Sequence, residues 1–160
     1  MNLGRALAEA GRQVAILETD LRRPRVTRYL GLIGGVGLSN VLTGSADLEE
    51  IIQFYGDGRL SVVAAGPTPP NPSQLLSSGQ LITVVEQLRQ KNDFVLIDAP
   101  PILPVADASG LAPIADGVVL SVHYGSTRKD QLRQAAATLH RVDAKTLGVV
   151  LNMVPLPIAM

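Results

Sequence analysis

Cysteine is absent from the 160 residues, and so is tryptophan. Without thiols there is neither a disulfide framework nor a thiolate metal site, which fits a reducing compartment. Aromatic residues are scarce, two Phe and three Tyr, so a core must be built from aliphatic side chains. No apolar run approaches the ~20 residues that span a bilayer, and no basic stretch followed by an apolar core opens the chain. An excess of one charge is lacking too. Fourteen basic and fourteen acidic residues leave a formal net charge of zero, so no global field favours nucleic acid or an anionic membrane as the main partner. Binding must be local, and the chain reads as soluble, single-domain over 1–160, with no nucleic-acid partner.

Short aliphatic runs recur instead: VAIL at 14–17, LSVVAA at 60–65, FVLI at 94–97, VVLSV at 118–122 and GVVLN at 148–152. None alternates with polar residues, and each predicts a strand buried on both faces. Helical spacing lies between them: Leu3, Ala6, Leu7 and Ala10 before Gly11; Leu81, Val84, Val85 and Leu88 before Lys91 and Asn92; Leu132, Ala135, Ala136 and Leu139. Thr127 and Asp130 have the spacing of a capping box for the third stripe. Strands alternating with helices predict an α/β fold with a parallel sheet, in which ligands bind beyond the carboxyl ends of the strands. Two stretches break the alternation. GLIGGVGLS at 31–39 reads as a loop between short helices. GPTPPNP at 66–72 has too many prolines for a helix or central strand and reads as a surface loop, with Pro72 in the first turn of a short helix.

The strand ends carry the chemistry. After VAIL come Glu18, Asp20 and Arg22; after FVLI come Asp98, Pro100 and Pro101, within DFVLIDAPPILPVADA. Each acid alone could equally cap a turn. Two buried strands delivering carboxylates to one sheet edge call for a cation among them, and a hard, water-bearing ion such as Mg²⁺ is the usual one. Arg23 and Arg25 read as a solvated basic turn. His123 reads as a strand residue, His140 as a helix-end residue favourable to the helix dipole, and Tyr29, Tyr55 and Tyr124 as isolated structural or surface residues.

A hydrophobic strand ending in acid-x-Asp-x-Arg, a later strand ending in Asp-x-Pro-Pro, GPTPPNPSQLL between them and GVVLNMV near the end resemble the cytoplasmic catalytic domain of bacterial tyrosine kinases that control capsule and exopolysaccharide export. The resemblance runs from about Asn2 to Pro155. It implies a P-loop NTPase-like fold related to partition ATPases, and ATP and Mg²⁺ as cofactors. It also implies a position at the inner face of the membrane beside a membrane-spanning polysaccharide chain-length regulator, fused or separate, and leaves self-association open. By the same resemblance Asp98 and Asp20 face Mg²⁺, and Glu18 stands where an aspartate usually takes the proton of an incoming tyrosine. Arg22 lies beside the phosphates and Asn152 faces adenine. One motif is missing. The three lysines, Lys91, Lys129 and Lys145, follow no glycine, so no G-x-x-x-x-G-K-[ST] loop is present to cradle phosphates. NLGRALAEAGRQ at 2–13 resembles the end of the helix that follows that loop, which implies that the first strand and the loop have been lost. The expected function is an ATP-dependent protein-tyrosine kinase domain, inactive as this chain. The alternatives are a partition-type ATPase or a non-catalytic interaction module.

Overall fold

The computed structural model describes residues 1–103 and 110–155. The chain divides into two compact units, Met1–Pro100 and Pro101–Met160. The stretch PVADA, quoted above, lies outside the described residues.

The first unit holds α1 (Asn2–Glu9), β1 (Val14–Glu18), α2 (Val26–Leu30), α3 (Leu38–Leu42), α4 (Leu48–Ile51), β2 (Ile52–Tyr55), β3 (Leu60–Val63), α5 (Pro72–Leu76), α6 (Gly79–Lys91) and β4 (Phe94–Asp98). The strands lie in the order β2-β3-β1-β4. β1 runs parallel to both β3 and β4. Its five residues and the four of β3 are all buried, as unbroken aliphatic runs in the middle of a parallel sheet should be. Ile16 and Leu17 are almost wholly excluded from solvent, each adding about 1.5–3 kcal/mol by leaving water. Val14, Ile16, Leu60 and Val62 share one core cluster with Ala8 and Val26.

The helices depart from expectation in instructive ways. α6 buries Leu81, Val84, Val85 and Leu88, the stripe read from spacing. α1 forms where predicted but turns a different face inward. Gly4 and Ala8 are buried while Leu3 is exposed. A Cβ on Gly4 would stand 2.9 Å from Ile16 Cδ1, so the small residues, one turn apart, let the helix backbone lie close on β1. The loop at 66–71 is followed by α5 with Pro72 at its first turn, as predicted.

Two further corrections concern strands. β2, IQFY, was not predicted; it pairs antiparallel to β3 through a turn containing Gly56 and Gly58, both at positive φ, and makes the sheet mixed. β4 was expected to be buried on both faces. It is the last strand of its sheet, with Phe94 and Asp98 exposed and the three residues between them half-buried.

The second unit contains a 3-10 turn at Ala112–Ile114, β5 (Val118–His123), α7 (Lys129–Arg141) and β6 (Thr146–Asn152). β5 and β6 pair in parallel, with α7 as the connection between them. Both were expected to be buried, yet Val119, Leu147, Val149, Val150 and Leu151 stay about half exposed, and among the described residues the two-stranded sheet has no further strand on either flank. The start of α7 also differs from the predicted box. Arg128 is the N-cap, its N–H donating to Gln131 Oε1 at 2.9 Å, and the Thr127 hydroxyl accepts from the His123 N–H instead. His123 ends β5 and His140 lies in the last turn of α7.

Candidate functional site

The parallel register of β1 on β4 sets Glu18 opposite Asp98. Both strands therefore end at the same edge, and the chain leaving β1 is stitched to β4 there. The Thr19 N–H and hydroxyl both donate to the Asp98 carbonyl, at 3.0 and 2.9 Å. Thr19 is fully buried, and nothing in the sequence reading singled it out. The turn continues through the Leu21 N–H donating to the Thr19 carbonyl, and Asp20 follows Glu18 on the same edge.

The three acids occupy different environments. Glu18 is fully buried, and its side chain folds back to gather backbone donors. Oε1 accepts from the Arg25 and Val26 N–H groups at 2.5 and 2.6 Å, and Oε2 from the Ala65 N–H at 3.1 Å. One carboxylate thus ties the start of α2 to the end of β3. Asp20 uses Oδ1 to accept from the Arg22 and Arg23 N–H groups at 3.2 and 3.0 Å, closing a local turn. Although Asp98 as a residue is exposed, its carboxyl is pushed above its ordinary value, first by desolvation from the surrounding protein. The α-amino group of Met1 opposes that rise, and the neighbouring charges of Glu18 and Asp20 add to it. The amino end of α1 therefore faces the same edge as the three acids.

Arg22 links the two segments that carry the resemblance. Its guanidinium donates to Ser73 Oγ at 3.0 Å, in the first turn of α5. The N-terminus of α3 closes the rear of this region. Leu38 and Ser39 N–H groups donate to the carbonyls of Ala64 and Ala65 at 2.7 and 2.9 Å. Only glycine fits at 37, where a Cβ would stand 2.3 Å from the Ala64 carbonyl oxygen.

Asn152 belongs to the second unit. It ends β6 opposite His123, its side-chain oxygen accepts from the Met153 N–H at 2.8 Å, and Met153 takes a left-handed φ. Among the described residues no three His, Cys, Asp or Glu side chains gather closely enough to hold a metal alone. Mg²⁺ does not require such a cage: it keeps several waters and takes one or two carboxylates together with substrate phosphates. Asp20 and Asp98 are of the donor type that fits such an ion, and a cation there would offset both the desolvation of Asp98 and the neighbouring charges of Glu18 and Asp20.

No protein-family model matches the chain. Individual proteins do. It is 34% identical over 155 residues to the putative tyrosine-protein kinase CapB of Staphylococcus aureus, an alignment covering 97% of this chain and 68% of that protein. The chain belongs to the bacterial tyrosine-protein kinase family. Another member, tyrosine-protein kinase YwqD of Bacillus subtilis, is 38% identical over 151 residues; the chain spans 64% of its length. The fold agrees with the family. The chimerical protein CapA2B2 superposes with a TM-score of 0.92 at 33% identity, over 97% of this chain and 69% of that one. The septum site-determining protein MinD of Pyrococcus horikoshii, complexed with Mg-ADP, gives 0.77 at 25% identity, over 94% of this chain and 61% of its own. The fold is thus the α/β, P-loop NTPase-like one, with a mixed rather than wholly parallel sheet.

Proposed function

We propose that this chain is the greater part of an ATP-dependent protein-tyrosine kinase domain serving capsule or exopolysaccharide production, and that residues 1–160 act as one domain. The observation that carries the reading is the register of Glu18 on Asp98, with Arg22 bonded across to Ser73. It collects two solvent-accessible carboxylates, a guanidinium and the amino end of α1 at one edge of a sheet. Phosphoryl transfer depends chiefly on such positioning and charge stabilisation. Relatives match across 94–97% of the chain, through both compact units, which supports the single-domain reading.

In this reading Asp20 and Asp98 would hold Mg²⁺, which when bound offsets charge on the phosphates of ATP. Arg22 orients those phosphates, and Asn152 serves the adenine. Glu18 lies next to the acceptor tyrosine's position. With both its oxygens committed to backbone donors, it must release at least one N–H before it can take a proton. Its first contribution is therefore to hold the loops that frame the edge. The kinase works at the inner face of the cell membrane beside a chain-length regulator. No helix among the described residues is long and apolar enough to cross the bilayer.

The sequence carries no glycine-lysine phosphate loop, and the chain alone is proposed to be inactive. The rival reading is a partition-type ATPase, favoured only by the likeness to MinD. The test is transfer of labelled γ-phosphate from ATP to tyrosine by this chain carrying an N-terminal apolar strand and a GKST loop. Labelled phosphotyrosine that disappears in Asp98→Ala supports the kinase. ATP hydrolysis without phosphotyrosine would favour the ATPase.

A further inference from the structure

Beyond Asp20 the chain enters a region that the proposed phosphoryl site does not use. An open concavity of about 740 Å³ is lined by Arg23, Pro24, Arg25, Arg28 and Tyr29. Three guanidinium groups fall within six positions of a chain whose net charge is zero, and no carboxylate lines the cavity. Several basic residues elsewhere sit in ion pairs: Arg5 with Glu9, Arg59 with Asp57, Arg89 with Glu86, Lys91 with Glu49, Arg128 with Asp130. The arginines of the concavity enter none of these pairs. Their backbone is nonetheless firmly placed, because the Arg25 and Val26 N–H groups bond the buried Glu18 and the Arg23 N–H bonds Asp20. Arginines on a held backbone, with no ion pair among the described residues, form a ready receptor for carboxylate or phosphate groups, which their planar forks match.

We propose that this concavity binds the acidic residues flanking an acceptor tyrosine, so that the domain selects tyrosines in acidic peptide segments. The proposal rests on the kinase reading for the word acceptor, and on the cavity alone for the acidic ligand. Three observations favour a peptide over a lipid surface. The site is a shallow, open concavity of about 740 Å³, room enough to seat several peptide side chains. It carries an exposed aromatic, Tyr29 at 64%, able to stack on a side chain. It is joined by a direct hydrogen bond to Asp20, at the edge where transfer is proposed.

The test uses the chain as it stands, without nucleotide. Fluorescein-labelled peptides with a central tyrosine and acidic, uncharged or basic flanks are titrated by anisotropy into the chain and into Arg23→Glu/Arg28→Glu. Arg133→Glu, on the exposed face of α7, is the control, and melting curves verify that all three fold. Binding of the acidic peptide that weakens at least about tenfold in the double variant, weakens with added salt and is unchanged in the control supports the proposal. Arg23→Gln/Arg28→Gln, which removes the positive charges without adding negative ones, should give a smaller loss in the same direction. Equal binding of acidic and uncharged peptides, or full affinity in the double variant, overturns it. Arginine-dependent sedimentation with phosphatidylserine vesicles in the absence of peptide binding overturns it as well, in favour of a lipid surface. Because neither ATP nor transfer is involved, acidic-peptide binding by this chain, together with an N-terminally extended chain that never phosphorylates tyrosine, would sink the kinase reading and leave the acidic ligand standing.

Discussion

Glu18 replaces what could have been a free acid at a strand end with a buried bracket. Its carboxylate serves three backbone donors, two of them, on Val26 and Ala65, fully buried. Truncating it strands those donors, and each one left unpaired in the interior costs roughly 1–3 kcal/mol. Glu18→Ala is therefore expected to lose about 3 kcal/mol or more, read as a lower urea midpoint with an unchanged slope. Asp98 behaves in the opposite sense. Burial and the charges of Glu18 and Asp20 raise its carboxyl above the ordinary value, the Met1 amino group only partly offsetting them. Folding thus favours the protonated acid. That contribution is complete below the ordinary Asp value of about 3.9 and is lost as pH rises through the raised one. Asp98→Asn should accordingly melt higher than the parent at pH 7, with the gap closing as pH falls through the carboxylate range. A gap that widens on acidification would mean that the ionised form of Asp98 is the stabilising one.

At the scale of elements, the approach of α3 to β3 decides the shape of the region behind the site. Gly37 lies in extended backbone, so its role is space and not unusual φ. A methyl there meets the Ala64 carbonyl oxygen and the Gly66 N–H nitrogen, at 2.3 and 2.4 Å. Gly37→Ala is expected to cost about 2 kcal/mol or more, by the ordinary penalty for overpacking, and to speed amide exchange at Leu38 and Ser39. Five strands were legible as aliphatic runs, but only β1 and β3 are buried throughout as those runs implied; β4, β5 and β6 keep exposed residues. β2 was not legible, since four residues at an edge, half of them amphipathic, carry a weak pattern. The facing of α1 was misread because Gly4 and Ala8 pack by being small, a signal that a hydrophobic stripe does not register. The acids of the site were legible because they follow the runs directly. Thr19, Ser73 and the donors that hold Glu18 were not, because backbone N–H groups belong to every residue and only the register reveals which ones converge.

For the whole molecule, unsatisfied sheet flanks matter most. β4 has a strand on one side only among the described residues, and β5 and β6 have only each other. An isolated two-stranded pair is marginal in water, and the apolar side chains of β6 remain half exposed. One added strand burying five or six aliphatic residues at about 1.5–3 kcal/mol each would contribute on the order of 10 kcal/mol, comparable to the whole net stability of an ordinary domain. The chain extended N-terminally by an apolar strand and a GKST loop should therefore melt well above the parent. The most direct test of the central claim, that the edge bearing Asp20 and Asp98 is a Mg-nucleotide edge, is calorimetric titration of Mg-ATP into the parent, the extended chain and its Asp98→Ala variant. The account predicts weak binding by the parent, micromolar binding by the extended chain and at least about a tenfold loss on removing Asp98, the penalty of about 1.4 kcal/mol or more for one lost charged contact. Micromolar affinity in the parent, or an Asp98→Ala variant that binds Mg-ATP undiminished, would contradict it.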